Sequence, residues 1–200
     1  MPGVYSTARP GTRSQVASQL AGRARRRRHE RFFGRTGVGP GTSVVDLGSG
    51  GLGLRLYEPQ LEITAVDRVE RPYPGPFVVA DLTEPLPFAD NEFDFAYCNS
   101  VVEHIPRASR PLLAAEIRRI ARGWLVQTPA KSFPIEPHSL LPFAQWLPPG
   151  ARRAYWRLGV GEWDGAELLT KAEMESLFGP VKAERFMGLA KSWLSIRPLA

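Results

Sequence analysis

The sequence predicts an α/β fold built on an open sheet, and three observations carry that prediction. Short apolar runs of strand length recur at 44–47, 63–66, 77–80, 93–98 and 124–128, rich in β-branched and aromatic residues. The first three contain or run into a carboxylate: Asp46, Asp67 and Asp81. Between the fourth and fifth lies a helical pattern, with Leu112, Leu113, Ile117 and Ile120 as its buried stripe and Arg118, Arg119 and Arg122 outside. Ser109 is placed to cap that helix and Gly123 to end it.

The first run leads directly into Gly48-Ser49-Gly50-Gly51-Leu52-Gly53. Four glycines in six positions permit tight turns and positive φ, and bring backbone within reach of a ligand. Ligands of open α/β sheets lie outside the carboxyl ends of the strands, so this is a candidate binding loop, followed by a short helical stretch. Asp67 comes 21 residues after Asp46, at the tip of the second run. A carboxylate there can accept hydrogen bonds from two ribose hydroxyls. To this point the pattern specifies an adenosine-containing cofactor. Two features favour S-adenosyl-L-methionine (SAM) over a dinucleotide. Asp46 precedes the first glycine, where a negative charge suits a cationic amino acid group better than pyrophosphate. Asp81, followed by Leu82, ends the third run and can accept from an adenine amino group.

The stretches VVDLGSGGLG, ITAVD and FVVADLTEPLPFADNEFDFAYCNSVVEHI resemble the class I SAM-dependent methyltransferases of the small-molecule type 11 family. The likeness runs from about Val44 to Thr128, and Leu86–Asp94 is its most specific part. It implies a Rossmann-like doubly wound sheet, mostly parallel with an antiparallel C-terminal strand pair. The runs 182–187 and 192–196, joined through 188–191, would form that pair. It also implies cofactor contacts from Asp46, Gly48, Ser49, Gly50, Gly51, Asp67, Arg68, Asp81, Leu82 and Asn99. One position departs from the family: Leu52 stands where a glycine is usual, so the loop is expected to be rearranged.

Two hundred residues suit one domain with a proper core. Residues 41–200 form the expected methyltransferase domain, and 1–40 a basic arm and helix. No apolar run approaches the roughly 20 residues needed to span a bilayer, and the leading residues lack a secretory apolar core. The single cysteine, Cys98, falls in a strand pattern and reads as inert core. A cytoplasmic location is expected, with peripheral membrane contact as the variant the arm allows. Of 26 Lys and Arg, seven arginines fall in residues 1–29, which hold no acid, leaving 19 basic against 20 acidic residues in the remainder. The domain is near neutral, and the excess charge belongs to the leading segment. Ser14 could cap a helix running toward Phe33, its second half Arg23–Glu30. That arginine run reads as a solvated face, with contact to anionic lipid or nucleic acid, or an organelle transit segment, as the sharper alternatives. Gly37–Gly41 then breaks the helix, and Arg71–Pro76 is too proline-rich for a crossover helix.

Asn99–Ile105 follows the fourth run, where the family resemblance places the transferred methyl group. His104 is a candidate base there, or a histidine that packs beside the cofactor. The insertion at about 129–168 follows the fifth run and can roof the pocket. It carries Phe133, Ile135, Leu140, Leu141, Phe143, Trp146, Leu147, Tyr155 and Trp156 around a central polar pair, Glu136 and His138. It resembles an insertion in some bacterial type 11 enzymes. Glu136 or His138 could touch the acceptor, or they could bond only to each other. Thr170–Glu173 is a capping box that opens a helix to Phe178, stopped by Gly179-Pro180.

The expected function is methyl transfer from SAM to a small-molecule or lipid-linked acceptor. A hydroxyl acceptor would want a base, and His104, His138 and Glu136 are the catalytic candidates. No Asn/Asp-Pro-Pro-Tyr/Phe follows the fourth run, and no Pro-Cys nucleophile is present, which argues against methylation of a nucleic-acid base. No sequence-local metal spacing is found, so no metal is expected. A dehydrogenase, a non-catalytic methyltransferase-like scaffold and an RNA-directed enzyme anchored by the arm are the competing readings.

Overall fold

The computed structural model describes Gly22, Arg26, Arg27 and residues 29–160 and 165–199. Seven strands form one sheet: β1 (Ser43–Leu47), β2 (Glu62–Asp67), β3 (Phe77–Val79), β4 (Phe93–Asn99), β5 (Ala121–Pro129), β6 (Val181–Phe186) and β7 (Leu189–Arg197). Their order is β3-β2-β1-β4-β5-β7-β6. The first five are parallel, and β7 and β6 add antiparallel to β5. This is the doubly wound, mostly parallel sheet with an antiparallel closing pair that the sequence predicts.

Alternation along the strands divides the core in two. Val45, Leu47, Ala96, Cys98 and Val126 face one side, against Leu113, Ala114, Ile117 and Ile120 of α1 (Arg110–Ile120) and Met174 and Phe178 of α3 (Lys171–Phe178). Val44, Ile63, Phe95, Tyr97 and Leu125 face the other, against Phe32, Phe33, Leu54 and Leu61. No α-helix links β1 to β2, β2 to β3 or β3 to β4; the only helical piece there is a 3-10 turn at Gly53–Leu56. The second face is therefore covered by the chain leading into β1. Residues 29–32 are helical, Phe33–Arg35 continue as a 3-10 turn, and Phe32 and Phe33 are buried. Each such phenylalanine contributes about 1.5–3 kcal/mol, so the end of the expected arm is part of the domain's core. Most of the expected helix from Ser14 lies outside the described residues.

Several boundaries differ from expectation. Ser109 sits at the N-cap of α1 but its side chain makes no capping bond; proline at the first turn removes one of the N–H groups a cap would serve. The helix stops at Ile120 and β5 begins at Ala121, so Gly123 is a strand residue. A Cβ there would stand 2.8 Å from the Arg197 carbonyl oxygen of β7, a close approach that only glycine permits. The β6–β7 link is a two-residue turn, Met187-Gly188, both at positive φ, the geometry that suits a twisted hairpin. The Thr170–Glu173 capping box forms in full at the start of α3.

Candidate active site

The glycine loop leaves β1 at Gly48, where φ is +71° and a Cβ would stand 2.5 Å from Val101 Cγ2. The loop thus presses on the chain that leaves β4, and the two candidate regions are contiguous. Gly50 and Gly51 also have positive φ. Leu52 has φ −73°, a conformation any residue adopts. The glycine requirement falls instead on Gly53, with φ +51° and a built Cβ only 2.0 Å from Asp46 Oδ2. The position that must lack a side chain is the one after Leu52.

Asp46 lies beneath this loop, 2% exposed, and accepts a 2.6 Å hydrogen bond from the Leu54 N–H. Burial pushes its carboxyl up to about 7, against the lowering effect of the Leu54 bond and with a further push from the charge of Asp67. The sequence reading set a negative charge here to suit a cationic amino acid group; in the structure that carboxyl is buried beneath the loop. Asp67, at the tip of β2, accepts from the Gly50 N–H at 2.8 Å and from the Val69 N–H at 3.3 Å. It ties the loop to β2 and is partly exposed. Asp81 accepts from the Thr83 N–H and hydroxyl at 2.9 and 2.8 Å, bonds that hold its carboxyl below the usual range. Leu82 beside it is buried, Arg68 is exposed, and the buried Ser49 Oγ has no partner.

Asn99 ends β4, in register with Gln127 of β5. Ser100 follows at φ +58°, and its hydroxyl donates to Gln127 Oε1 at 2.9 Å. A 3-10 turn, Val102–His104, then presents Glu103 inward, 1% exposed, and His104 outward. The Thr128 hydroxyl donates to Glu103 Oε2 at 2.9 Å; Glu103 Oε1 is buried and has no partner.

The segment after β5 folds back over this end of the sheet. It contains a 3-10 turn at Ala144–Trp146 and α2 (Pro149–Trp156). It is anchored by the Ala130–Leu169 bridge, by the Glu167 N–H donating to the Glu103 carbonyl, and by Arg110, which donates to the carbonyls of Ile105 and Glu167. Within it, the buried Glu136 carboxylate accepts from the His138 ring at 2.7 Å, the N–H groups of His138 and Ser139, and the Ser139 hydroxyl. That turn sets the buried His138 ring edge-on to His104, 5.1 Å between centroids.

The structure therefore brings His104, His138 and Glu136 together, with Glu136 as the support of His138. Sequence reading missed Glu103, Thr128 and Gln127. An acidic residue inside the apolar run Val101-Val102-Glu103 was the available signal. The third histidine, His29, is stacked on Phe33 and Tyr57 and bonded to Glu58. It borders a cavity of about 420 Å³ with Gly39, Pro40 and Gln60, residues that lead into β1 and β2 and thus lie at the opposite end of the sheet from the glycine loop.

A glycine loop at the carboxyl end of β1, with carboxylates at the tips of the next two strands, defines an α/β domain that holds an adenosine-type cofactor. Residues 35–125 match the sequence model of a family described as a methyltransferase domain. The match falls on the region that carries the sequence resemblance to class I SAM-dependent methyltransferases of the type 11 family. Its cradle fits SAM: the glycines at positive φ bring loop backbone close to the site, Asp67 ends β2, and Asp81 follows β3 by two residues. Among solved structures, the chain resembles the PH0226 protein of Pyrococcus horikoshii OT3 at 19% identity and TM-score 0.61, covering 88% of this chain and 90% of that one. It also resembles magnesium protoporphyrin IX methyltransferase of Synechocystis PCC 6803, solved with bound S-adenosylhomocysteine (SAH), at 15% identity and TM-score 0.53, covering 97% and 91%. A third is the 1,6-didemethyltoxoflavin N1-methyltransferase of Burkholderia thailandensis, at 18% identity and TM-score 0.52, covering 84% and 72%. These three likenesses concern the fold. A search of curated proteins finds no match to the sequence.

Proposed function

We propose that this chain moves a methyl group from SAM to a small-molecule or lipid-linked acceptor seated at the carboxyl end of β4, under the 130–169 segment. The observation that carries the reading is the meeting of His138 with His104 a few residues from Val101, against which the cofactor loop packs at Gly48. Bound SAM supplies a methyl carbon on a sulfonium, which the acceptor's lone pair takes by displacement as the C–S electron pair returns to sulfur. Asp67 would hold the ribose hydroxyls, Asp81 and Leu82 the adenine, and the loop amides the amino acid end above the buried Asp46, with Arg68 and Asn99 at the margins. His104 faces the acceptor, and His138 lies behind it. Glu136 is a positioning residue, its carboxylate occupied by His138 and Ser139.

Exposed Ile135, Leu140, Phe143 and Trp146, the last two stacked 5.3 Å apart, favour an acceptor with an apolar body. The arginine-rich leading segment suits contact with an anionic membrane surface.

Calorimetric titration with SAH tests this reading, with NAD as control. The wild type is expected to bind SAH and not NAD. Asp67→Ala should weaken SAH binding at least about tenfold, since each hydrogen bond to a charged group is worth about 1.5–3 kcal/mol. A wild type that ignores SAH would leave a methyltransferase-like scaffold as the reading.

A further inference from the structure

We propose that Glu103, His104 and His138 form a binding site for one divalent transition-metal ion of the zinc class. As the site of an acceptor's oxygen donor, it rests on the function proposed above; as a metal site it stands alone.

The ligating atoms of these three side chains all lie within 4.8 Å of one another. Two ligands about 2.1 Å from a common metal stand about 3–4.2 Å apart, so the cluster closes on an ion with small side-chain adjustments. The two buried members are backed by partners of the kind that orient metal ligands. Glu136 accepts from His138 Nδ1 at 2.7 Å, the carboxylate–histidine pairing that orients a metal-ligating imidazole. The Thr128 hydroxyl engages Glu103 Oε2 at 2.9 Å, which leaves Oε1 as the coordinating oxygen.

That oxygen is the independent sign of a ligand. Glu103 is 1% exposed, and its Oε1 is buried without a partner. An unpaired carboxylate oxygen in the interior is costly, and a cation beside it offsets that cost. Two imidazoles and one carboxylate suit zinc, iron, cobalt or manganese better than magnesium or calcium, which prefer all-oxygen sets. Three protein ligands leave coordination positions open. With His104 at the exposed rim, those positions fit an acceptor presenting an oxygen, such as a phenol or a carboxylate. Sequence inspection expected no metal because it looked for ligands at local spacing, whereas this set joins residues 103 and 104 to residue 138.

The test is calorimetric titration of the chelator-treated full chain with Zn²⁺, paired with the visible absorption of the Co²⁺ form. The wild type should take up one Zn²⁺ per chain. His104→Ala, chosen because that side chain is exposed, and Glu103→Gln should each weaken binding by at least about tenfold, and Glu136→Gln by about 10–100-fold through loss of its hold on His138. Far-UV circular dichroism and urea unfolding of the same samples report that each variant is folded, and SAH affinity is measured in parallel. Wild type without saturable Zn²⁺ uptake, or His104→Ala and Glu103→Gln binding it like wild type, overturns the site. SAH binding without metal uptake sinks only this inference, and Zn²⁺ uptake without SAH binding sinks only the methyltransferase reading.

Discussion

Asp46 and Gly53 depend on each other. The carboxylate turns under the loop to meet the Leu54 N–H, and the space it uses is the space a side chain at position 53 would need. Leu52 is tolerated because its backbone is ordinary there. Burial leaves Asp46 with a carboxyl that titrates at about 7 in the folded chain, against an ordinary value of about 3.9 unfolded. The folded state therefore holds this proton more tightly than the unfolded chain. Its contribution to stability is complete below about pH 4 and is lost as pH rises through 7, at up to about 1.4 kcal/mol per pH unit. Asp46→Asn keeps an acceptor for Leu54 and removes the titration. Urea unfolding of both proteins at several pH values should show the stability difference moving in favour of the variant between pH 5 and 7, then levelling off. A difference that stays constant from pH 5 to 8 would mean that Asp46 is ionised throughout.

The turn at residues 136–141 shows how an element can be assembled by one side chain. Backbone bonds join the Glu136 N–H to the Leu141 carbonyl and the Leu140 N–H to the Glu136 carbonyl, while the Glu136 carboxylate gathers His138 and Ser139. Glu136→Ala removes that centre while leaving the sheet and glycine loop untouched. Amide exchange across 136–141 should accelerate by about 10–100-fold, corresponding to bonds worth about 1.5–3 kcal/mol, with SAH affinity unchanged. Unaltered exchange would assign the turn to its backbone bonds alone. The Glu136–His138 pairing was legible because the two residues are neighbours in an otherwise apolar run. The approach of His138 to His104 was not, since it depends on the whole segment folding back and on Glu167 bonding to the Glu103 backbone. Gly123 misled for a related reason: after a helical pattern a glycine reads as a stop, while the constraint here is the β7 backbone beside it.

At the scale of the molecule, the strands were legible as local apolar runs, the first three with a carboxylate in them or just after them, while their mostly parallel arrangement came with the family resemblance. The cover on one face did not, because a chain with three helix-poor crossovers must recruit Phe32 and Phe33 from a segment that reads as an arm. The aromatic pair belongs to the domain, and the role of the arginine-rich residues before it is a matter of charge. Residues 1–29 carry seven arginines and no acid, beside a nearly neutral remainder. About 1 kcal/mol per basic residue near an anionic surface, together with the exposed Phe143–Trp146 pair, would hold the chain at a bilayer. Co-sedimentation with vesicles containing phosphatidylserine should therefore capture it at low salt and release it as salt rises, because screening shortens the reach of the charges. Replacing Arg23, Arg25, Arg27 and Arg28 by serine should abolish capture without lowering SAH affinity, since none of the four belongs to the proposed cofactor or metal cluster. Equal capture by vesicles of neutral lipid would transfer the role to the apolar segment, and no capture by either would leave the arginines as a solvated face.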